Sequence, residues 1–276
     1  LPDAGQGQGA VHHALRRLAN PDTTYHWRVR AKNDRGVWGA WSRAWSFQCR
    51  APGVPLNATA HPDAAAGTVT LNWQPNPQGA KPTKYKVYAS DEKGFTASDT
   101  EYPVFMGRGF CDTMEQFQAK TGNEPGSGNV KTPANLLLTT DRTECRVVGP
   151  DLTQPNANKA YYRVVAVDAD GVESGPSDYA EAPRPFLFTV PPTTARVAQP
   201  YRYKAKSLLS LGHLTCKGGY NAAFWDREKV TWELTEAPPW LKVASATGVV
   251  SGTPAGGDVG SYKVVLVAPD NRGGTV

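Results

Sequence analysis

The side chains that could carry out catalysis or hold a metal are few in this sequence and are dispersed along it. Its 276 residues include five histidines and four cysteines, without a nucleophile elbow, a His-Glu-x-x-His pair or a phosphate-binding loop. The cysteines also lack the Cys-x-x-Cys spacing that is typical of zinc sites. Carboxylates distant in sequence can still meet in a fold, but no motif indicates such a pair. We therefore assign no catalytic residue and predict that the chain is not an enzyme.

The four cysteines, Cys49, Cys111, Cys145 and Cys216, leave the disulfide pattern open. They allow three complete pairings, and one bridge plus free thiols is a further alternative. We favour Cys111 with Cys145, because both fall within one predicted domain. Closing that loop would stabilise the fold by roughly 3 to 4 kcal/mol in the chain-entropy model and would place the protein in an oxidising compartment. Buried free cysteines are the competing interpretation.

The stretch "TYHWRVRAK" predicts a strand with two chemically different faces. Its odd-numbered positions, from Tyr25 to Ala31, are apolar, and its even-numbered positions are polar. Because successive side chains of a strand point to opposite faces, the first set should be buried and the second exposed. Arg28 and Arg30 belong to the exposed set.

Two tryptophans follow in "WGAWS" and supply partners for these arginines. "WGAWS" is similar to an element of cytokine-receptor modules in which tryptophans interleave with arginines on the exposed face of a strand. The resemblance implies that Arg28 and Arg30 stack on Trp38 and Trp41, each cation–π contact contributing ~0.5 to 2 kcal/mol. The alternative is that Trp38, Trp41 and Trp45 form an exposed aromatic platform for a sugar ring or a partner. The cluster is structural in the first interpretation and a contact site in the second.

Composition places these residues in an all-β protein. The chain has 23 prolines and 27 glycines, spread between short runs rich in Val, Thr, Tyr and Trp, and it lacks long helix-period apolar stretches. No apolar run approaches the ~20 residues that cross a bilayer. The net charge of +5 is mild, with Lys and Arg scattered among the acids, so a nucleic-acid partner is not expected.

Two proline-rich stretches, 49–55 and 180–185, predict linkers. They divide the chain into domains at 1–49, 50–183 and 184–276. In the middle domain, alternating runs at 67–73 and 83–90 predict strands, and the stretch at 161–177 follows later in the chain. An insertion at about 91–142 separates them, with a short helix predicted at 110–122. Insertions of that length usually carry function or move.

The first two domains resemble fibronectin type III domains. Leu18, Tyr25 at the corner position and the turn "NDRG" match the second half of such a domain, and "AVHHALRRLA" at 10–19 supplies a strand E. "WGAWS" is similar to the Trp-Ser-x-Trp-Ser element of cytokine-receptor modules, with Gly39 replacing the first serine. "YYRVVAVDADGVESGPS" at 161–177 resembles strand F, turn and strand G, with Ala160 at the corner position, and the resemblance implies Tyr162, Val164 and Ala166 as the inward set of strand F. The resemblance implies antiparallel sandwiches and a chain that begins inside a domain.

Residues 184–276 carry the most specific resemblance, to immunoglobulin-like and dystroglycan-type cadherin-like modules. The matching segments are Pro-Tyr-x-Tyr, Pro-x-Trp-Leu and Thr-Gly-x-x-Ser-Gly-Thr-Pro, and the module is expected to be cut short at its C-terminus. Because cadherin-like relatives bind calcium between domains, the resemblance implies a candidate calcium site at Asp258, Asp270 and Asn271; no other cofactor is expected. The predicted core residues are Trp240, Leu241, Tyr262, Val264 and Leu266.

These features predict tandem immunoglobulin-like β-sandwiches. The expected role is non-catalytic, in the spacing, adhesion or assembly of a secreted or cell-surface protein. The expected partners are other extracellular proteins or further domains of the same polypeptide. The alternative is an accessory, carbohydrate-binding region of a secreted polysaccharide-acting enzyme, with the catalytic domain elsewhere in the polypeptide. Fold alone does not decide between them.

Overall fold

A computed structural model describes residues 24–48, 50–105, 129–210, 228–271 and 273–276. Cys49, Cys111, Cys216, the strand predicted at 10–19 and the helix predicted at 110–122 lie outside the described residues. Inside these ranges the regular elements are strands and one short 3-10 turn, so the all-β class is confirmed. Numbered along the chain, the strands are β1 Thr24–Trp27, β2 Trp45–Gln48, β3 Leu56–Asp63, β4 Thr68–Gln74, β5 Lys84–Ser90, β6 Tyr102–Phe105, β7 Asn129–Thr132, β8 Leu136–Thr140, β9 Glu144–Val148, β10 Tyr161–Val167, β11 Ala180–Glu181, β12 Phe186–Leu187, β13 Tyr201–Lys204, β14 Ser207–Leu208, β15 Glu233–Glu236, β16 Lys242–Ala244, β17 Val249–Gly252 and β18 Val265–Val267.

The middle of the chain is a sandwich of two antiparallel sheets. One sheet has the order β3-β4-β9 and the other the order β11-β10-β5-β8. Strand β10 lies between β11 and β5, and it pairs with β5 along its whole length, from Tyr161 opposite Ser90 to Val167 opposite Lys84. Both strands predicted at 67–73 and 83–90 are therefore present, and the strand F that the resemblance implied within 161–177 is β10 of the same sandwich.

The inner faces of the two sheets form the core that the period-two pattern predicts. Leu71 and Val147 from the smaller sheet meet Val87, Tyr162 and Val164 from the larger one, and all five are fully buried. Burying one such side chain contributes about 1.5 to 3 kcal/mol relative to leaving it in water. The inward set predicted for β10 accordingly lies in the core.

The outer face of the larger sheet is covered by the chain segment that follows β5. Phe95 packs against Tyr88, Tyr161 and Val165 in a second apolar cluster. The hydroxyl of Tyr179 donates a hydrogen bond to the carbonyl oxygen of Phe95 at 3.1 Å. Strand β10 is therefore buried on both faces, which explains why nearly all of its residues are apolar.

The predicted insertion at 91–142 is in part a structural component of the sandwich. Its first residues form the cover, which is fastened where Lys86 and Tyr88 both donate hydrogen bonds to the carboxylate of Asp99. Its last residues include β8, which pairs with β5 as an edge strand of the larger sheet. Strands β6 and β7 form a hairpin between these two parts.

The first hairpin departs from the burial predicted for it. Strands β1 and β2 pair with Tyr25 opposite Phe47 and Trp27 opposite Trp45, and the two ring pairs stack with centroids 5.6 and 4.7 Å apart. Trp27 is nevertheless 46% exposed and Val29 is 52% exposed. The prediction that this face is buried is wrong for the described residues, because no second sheet among them covers it.

The last part of the chain forms three small antiparallel sheets with the orders β12-β14, β13-β17-β16 and β15-β18. Trp240 packs at the edge of their common core, with its ring 6.3 Å from that of Tyr201. Gly252 must remain glycine, because a Cβ there would lie 2.1 Å from the carbonyl oxygen of Trp240. The buried core residues are Tyr203, Ala205, Trp232, Leu241, Val250 and Ala268.

Two predicted core residues of this unit lie on its surface. Tyr262 is 46% exposed and Val264 is 45% exposed. Residues 261–264 belong to no regular strand, and β18 begins only at Val265. The alternation in sequence therefore starts earlier than the strand pairing does, and only Leu266 of the predicted set packs against the core.

Candidate functional site

Two hairpins of this chain, at 24–48 and at 160–182, share one hydrogen-bond frame around a serine. The backbone N–H of Ser42 donates to the carbonyl of Val29 at 2.7 Å, and the Ser42 hydroxyl accepts from the N–H of Val29 at 3.0 Å. Ser177 makes the same two bonds with Val164 at 2.8 and 2.9 Å. Val29 is thus the counterpart of Val164, and Trp27 is the counterpart of the buried Tyr162.

The turns of the two hairpins are also equivalent. Asn33 in one and Asp168 in the other accept hydrogen bonds from the backbone N–H groups two and four residues later. Gly36 and Gly171 follow with φ of +79° and +80°, a conformation that favours glycine. The hairpin at 24–48 therefore has the backbone of the β10 hairpin of the sandwich.

The first hairpin carries a stack of alternating cations and indoles on its polar face. The guanidinium carbon of Arg28 lies 4.4 Å from the ring centroid of Trp41, and that of Arg30 lies 4.5 Å from Trp41 and 4.2 Å from Trp38. The Nζ of Lys32 lies 5.4 Å from the Trp38 centroid. We name these five residues the ladder. Its order is Arg28, Trp41, Arg30, Trp38, Lys32, so each indole lies between two cations.

The predicted sugar platform of Trp38, Trp41 and Trp45 does not form a single surface. Trp38 pairs with Lys32 across the hairpin, whereas Trp45 pairs with Trp27. Directly paired residues point to the same face, and Lys32 and Trp27 belong to opposite faces of β1 and its continuation. Trp45 therefore lies on the apolar face, and only Trp38 and Trp41 remain on the polar one.

The guanidinium groups of the ladder have unused hydrogen-bond donors. Within the part of the chain that the structure describes, the side chains of Arg28 and Arg30 donate no hydrogen bond and form no ion pair. Arg163, the counterpart of Arg28, instead donates to the carbonyl of Ser177 at 2.9 Å and to the hydroxyl of Tyr179 at 3.4 Å. The same backbone position thus holds a satisfied arginine in one hairpin and one with free donors in the other.

A second polar cluster joins the sandwich to the last unit, and we name it the joint. Arg184 places its guanidinium carbon 4.6 Å from the ring centroid of Tyr161 and its Nε 3.7 Å from the carboxylate of Glu228. Glu228 is only 4% exposed and accepts a 2.6 Å hydrogen bond from the backbone N–H of Ser210. The Ser210 hydroxyl in turn donates to the carbonyl of Asp91 at 3.2 Å.

Apolar contacts reinforce the joint. Phe186 of β12 and Leu208 of β14 belong to the core cluster of the sandwich, while Leu187, their neighbour, packs on the core of the last unit. Gly67 lies so close to Phe188 that a Cβ would come within 3.2 Å of its backbone. The stretch predicted as a linker at 180–185 is accordingly not free: Ala180 and Glu181 form β11, and Ala182 donates to the carbonyl of Ala160 at 2.9 Å.

Sequence reasoning missed the joint because its parts carry no local pattern. Arg184 stands in a proline-rich stretch, and Glu228 follows it by a long interval. The sequence offered one signal. Glu181 and Arg184 stand close to prolines, and the apolar run "FLF" at 186–188 follows them, which is not typical of a solvent-exposed linker.

The side chains of the three calcium candidates accept backbone hydrogen bonds in this structure. The carboxylate of Asp258 accepts from the N–H of Ala255 at 2.7 Å, and Asp270 accepts from the N–H of Gly274 at 2.6 Å. The side-chain oxygen of Asn271 accepts from the N–H of Lys229 at 2.8 Å. No group of three or more His, Cys, Asp or Glu side chains suited to a metal occurs among the described residues. Calcium binding stays a prediction.

Cys145 is a free thiol on the inner side of β9, packed against the core cluster that contains Tyr162. Burial, reinforced by the neighbouring carboxylate of Glu144, raises the pKa of this thiol to about 12. Its predicted partner Cys111 lies outside the described residues, so the bridge stays a prediction.

Residues 184–276 match the family model described as "Putative Ig domain". The last unit is immunoglobulin-like. This Ig-like unit begins within the joint, at Arg184. A solved structure, the crystal structure of a Fn3-like protein from Clostridium thermocellum, is 19% identical over 47% of this chain and 90% of that chain, with a TM-score of 0.24. A likeness at that score adds nothing to the strand order given above. No curated protein matches the chain. The described residues contain no helix with the length and apolarity that a bilayer crossing requires.

Proposed function

We propose that this chain is a non-catalytic spacer of a secreted or cell-surface protein, which holds its sandwich and its Ig-like unit in a fixed relation. The observation that supports this most is the joint. Arg184 contacts Tyr161 of the sandwich and Glu228 of the Ig-like unit, and a partly buried side chain that contacts both units cannot keep both contacts while they rotate.

The energetics of the joint favour one arrangement. A carboxylate as buried as Glu228 is costly to leave without its partners, and separating the units would also expose Phe186 and Leu208 to water. Interfaces between domains of one chain usually permit relative motion unless they are apolar and extensive. This joint combines apolar packing with a buried charge, so bending it would break both.

The non-catalytic part of the proposal rests on the kind of unit. Immunoglobulin-like and fibronectin-like sandwiches commonly serve as structural modules of extracellular proteins. Adhesion or assembly with other extracellular proteins would use the surfaces that the joint positions.

The distribution of distances across the joint tests the proposal. Spin labels attached by non-cysteine chemistry at the exposed positions Thr139 and Val259 report on the two units. We expect one narrow distance distribution in the unsubstituted chain and a broader one in Arg184→Gln. The exposed Arg202→Gln removes a charge from the Ig-like unit without touching the joint and should leave the distribution unchanged.

A second pair of variants tests the apolar half of the joint. Gly67→Ala and Gly94→Ala both place alanine at positive φ, but only the former presses on Phe188, since nothing lies within 4 Å of a Cβ at Gly94. Gly67→Ala alone should broaden the distribution. A broad distance distribution in the unsubstituted chain would contradict the spacer proposal. A distribution that stays narrow in both Arg184→Gln and Gly67→Ala would show that the joint does not fix the two units.

A further inference from the structure

The hairpin that carries the ladder has a high positive charge for its length. Residues 24–48 contain five basic residues and one acidic residue, a net charge of +4 against +5 for the whole chain. Three of the five cations, Arg28, Arg30 and Lys32, alternate along one strand face at about 7 Å intervals. The expectation that basic residues are evenly scattered is therefore wrong for this hairpin.

Stacking fixes these cations without neutralising them. The guanidinium carbon of each arginine lies 4.2 to 4.5 Å from an indole centroid, and neither guanidinium donates a hydrogen bond to a described residue, so the N–H donors along its edge are free. A planar guanidinium recognises a carboxylate or sulfate through two parallel hydrogen bonds from that edge. Because stacking removes side-chain freedom in advance, less entropy is lost when an anion binds.

We propose that the ladder binds an acidic polysaccharide, with its carboxylate or sulfate groups on the free edges of Arg28 and Arg30 and on Lys32. A neutral sugar that binds by stacking needs an open indole face. Trp38 and Trp41 are 43% and 46% exposed, but each has two cations within 5.4 Å of its ring centroid, where a stacked sugar would have to lie. Single-stranded nucleic acid would need the same open faces for its bases. A linear polymer of acidic sugars needs only the row of cations.

The comparison between the hairpins supports this assignment. In the hairpin at 160–182, buried Val165 and Val167 occupy the positions of Arg30 and Lys32. Arg163, at the position of Arg28, donates its hydrogen bonds to Ser177 and Tyr179. The same frame therefore carries a row of exposed cations at one of its two occurrences and buried valines at the other. The surface is independent of the joint, so either proposal can fail without the other.

Binding of the full chain to two matched polymers tests the proposal. Polygalacturonate carries one carboxylate on each sugar, and its fully methyl-esterified form has the same sugars without the charge. We expect the chain to bind polygalacturonate with an affinity that falls as salt rises, and to bind the ester at least tenfold more weakly. Dextran sulfate in parallel distinguishes sulfate from carboxylate as the preferred anion.

Variants locate the binding to the ladder. Arg28→Gln/Arg30→Gln should lower the affinity for polygalacturonate at least tenfold, whereas the control pair Arg196→Gln/Arg202→Gln, which removes two exposed charges elsewhere, should change it less than twofold. Arg28→Lys/Arg30→Lys keeps the charge but loses the planar fork, and it should lie between them. Intact hairpins are verified by the amide resonances of Val29 and Val37.

Three results would overturn the proposal. The first is equal binding of the acidic and the esterified polymer. The second is equal loss of affinity in the ladder pair and the control pair, since net charge alone would then explain it. The third is tighter binding of duplex DNA than of polygalacturonate at the same concentration of charge, which would identify a nucleic-acid ligand instead.

Discussion

The two hairpins of this protein have the same backbone and opposite surroundings. In the sandwich, Val164 and its neighbours are buried on both faces, by the smaller sheet on one side and by the Phe95 segment on the other. In the hairpin at 24–48, Val29 is half exposed and the polar face carries the ladder. The hydrogen-bond frame of the hairpin therefore forms whether or not another sheet or segment buries its faces.

The difference shows which residues specify the hairpin. A serine that bonds both ways to the facing valine, an Asx turn and a glycine at positive φ recur in both. These are local features that do not require a core. The face residues vary freely around them, from valines in one hairpin to arginines stacked on tryptophans in the other.

The largest effect that we expect is on the reactivity of Cys145, which lies beneath the covered hairpin. Because burial raises its pKa to about 12, little thiolate exists near pH 8, and alkylation should be roughly 100- to 1000-fold slower in the folded chain than in the denatured one. Peptide mapping after iodoacetamide treatment measures this rate. Fast alkylation in the folded state would show that the core under β10 is open.

The same digest without reductant tests the disulfide prediction. A linked pair of peptides containing Cys111 and Cys145 would establish the bridge and contradict the free thiol of this structure. Unlinked peptides would leave Cys145 as a buried thiol.

Truncating the facing valines should separate the hairpins next most clearly. Val164→Ala removes two fully buried methyl groups and should lower the free energy of unfolding by about 2 kcal/mol, roughly a thirtyfold change in the equilibrium constant. Val29→Ala should change it by less than about 0.5 kcal/mol. Urea denaturation of both variants gives the comparison, and equal losses would show that the first hairpin is covered as well.

The frame serines should show a smaller contrast. Ser177→Ala leaves the buried N–H of Val164 without its side-chain acceptor and should cost about 1 to 2 kcal/mol. Ser42→Ala exposes the corresponding N–H of Val29 to water, which can replace the hydroxyl, so its cost should stay below about 0.5 kcal/mol. Denaturation midpoints of the two variants measure the difference. A larger loss for Ser42→Ala would reverse the comparison.

The smallest effect concerns the hydrogen bonds from Lys86 and Tyr88 to Asp99, which hold the Phe95 segment on the larger sheet. We name this group the clasp. Partial desolvation acts to raise the pKa of Asp99, but the hydrogen bonds from Lys86 and Tyr88 outweigh it and hold that pKa below its usual range. A carboxyl with a lowered folded pKa adds stability that is present above its unfolded pKa and is lost as pH falls through the folded one. Unfolding titrations from about pH 4 downward should therefore show a steeper loss for the natural chain than for Asp99→Asn, by less than about 1 kcal/mol. The exposed Asp178→Asn is the control and should follow the natural chain; identical curves for all three would remove the clasp.

Sequence patterns predicted the parts of the molecule that depend on neighbouring residues. The resemblance of 161–177 to a strand F indicated the inward set of β10, and the resemblance of "WGAWS" to the cytokine-receptor element indicated which tryptophans contact Arg28 and Arg30. The face of Trp45 could not be found by counting from Trp38, because the chain at 39–44 between them is not a regular strand. Trp38 and Trp41 share a face despite their spacing of three because the chain between them is not a regular strand.

Features that depend on distant residues could not be predicted in this way. The exposure of Trp27 depends on whether a second sheet covers it, and the burial of Glu228 depends on a neighbouring unit. Likewise, alternation alone placed Tyr262 and Val264 in a strand, whereas pairing begins only at Val265. In each case the local pattern gives the face of a strand but not what lies against it.

Amide hydrogen exchange at Val29 and Val164 tests the central claim most directly. The claim is that the two hairpins differ in the burial of their faces and not in their backbone hydrogen bonds. Both N–H groups donate to a serine hydroxyl, at 3.0 and 2.9 Å, so their hydrogen bonds are matched. We predict that Val164 exchanges only through global unfolding, whereas Val29 exchanges through local opening at least about 100-fold faster. Equal protection of the two amides would contradict the account.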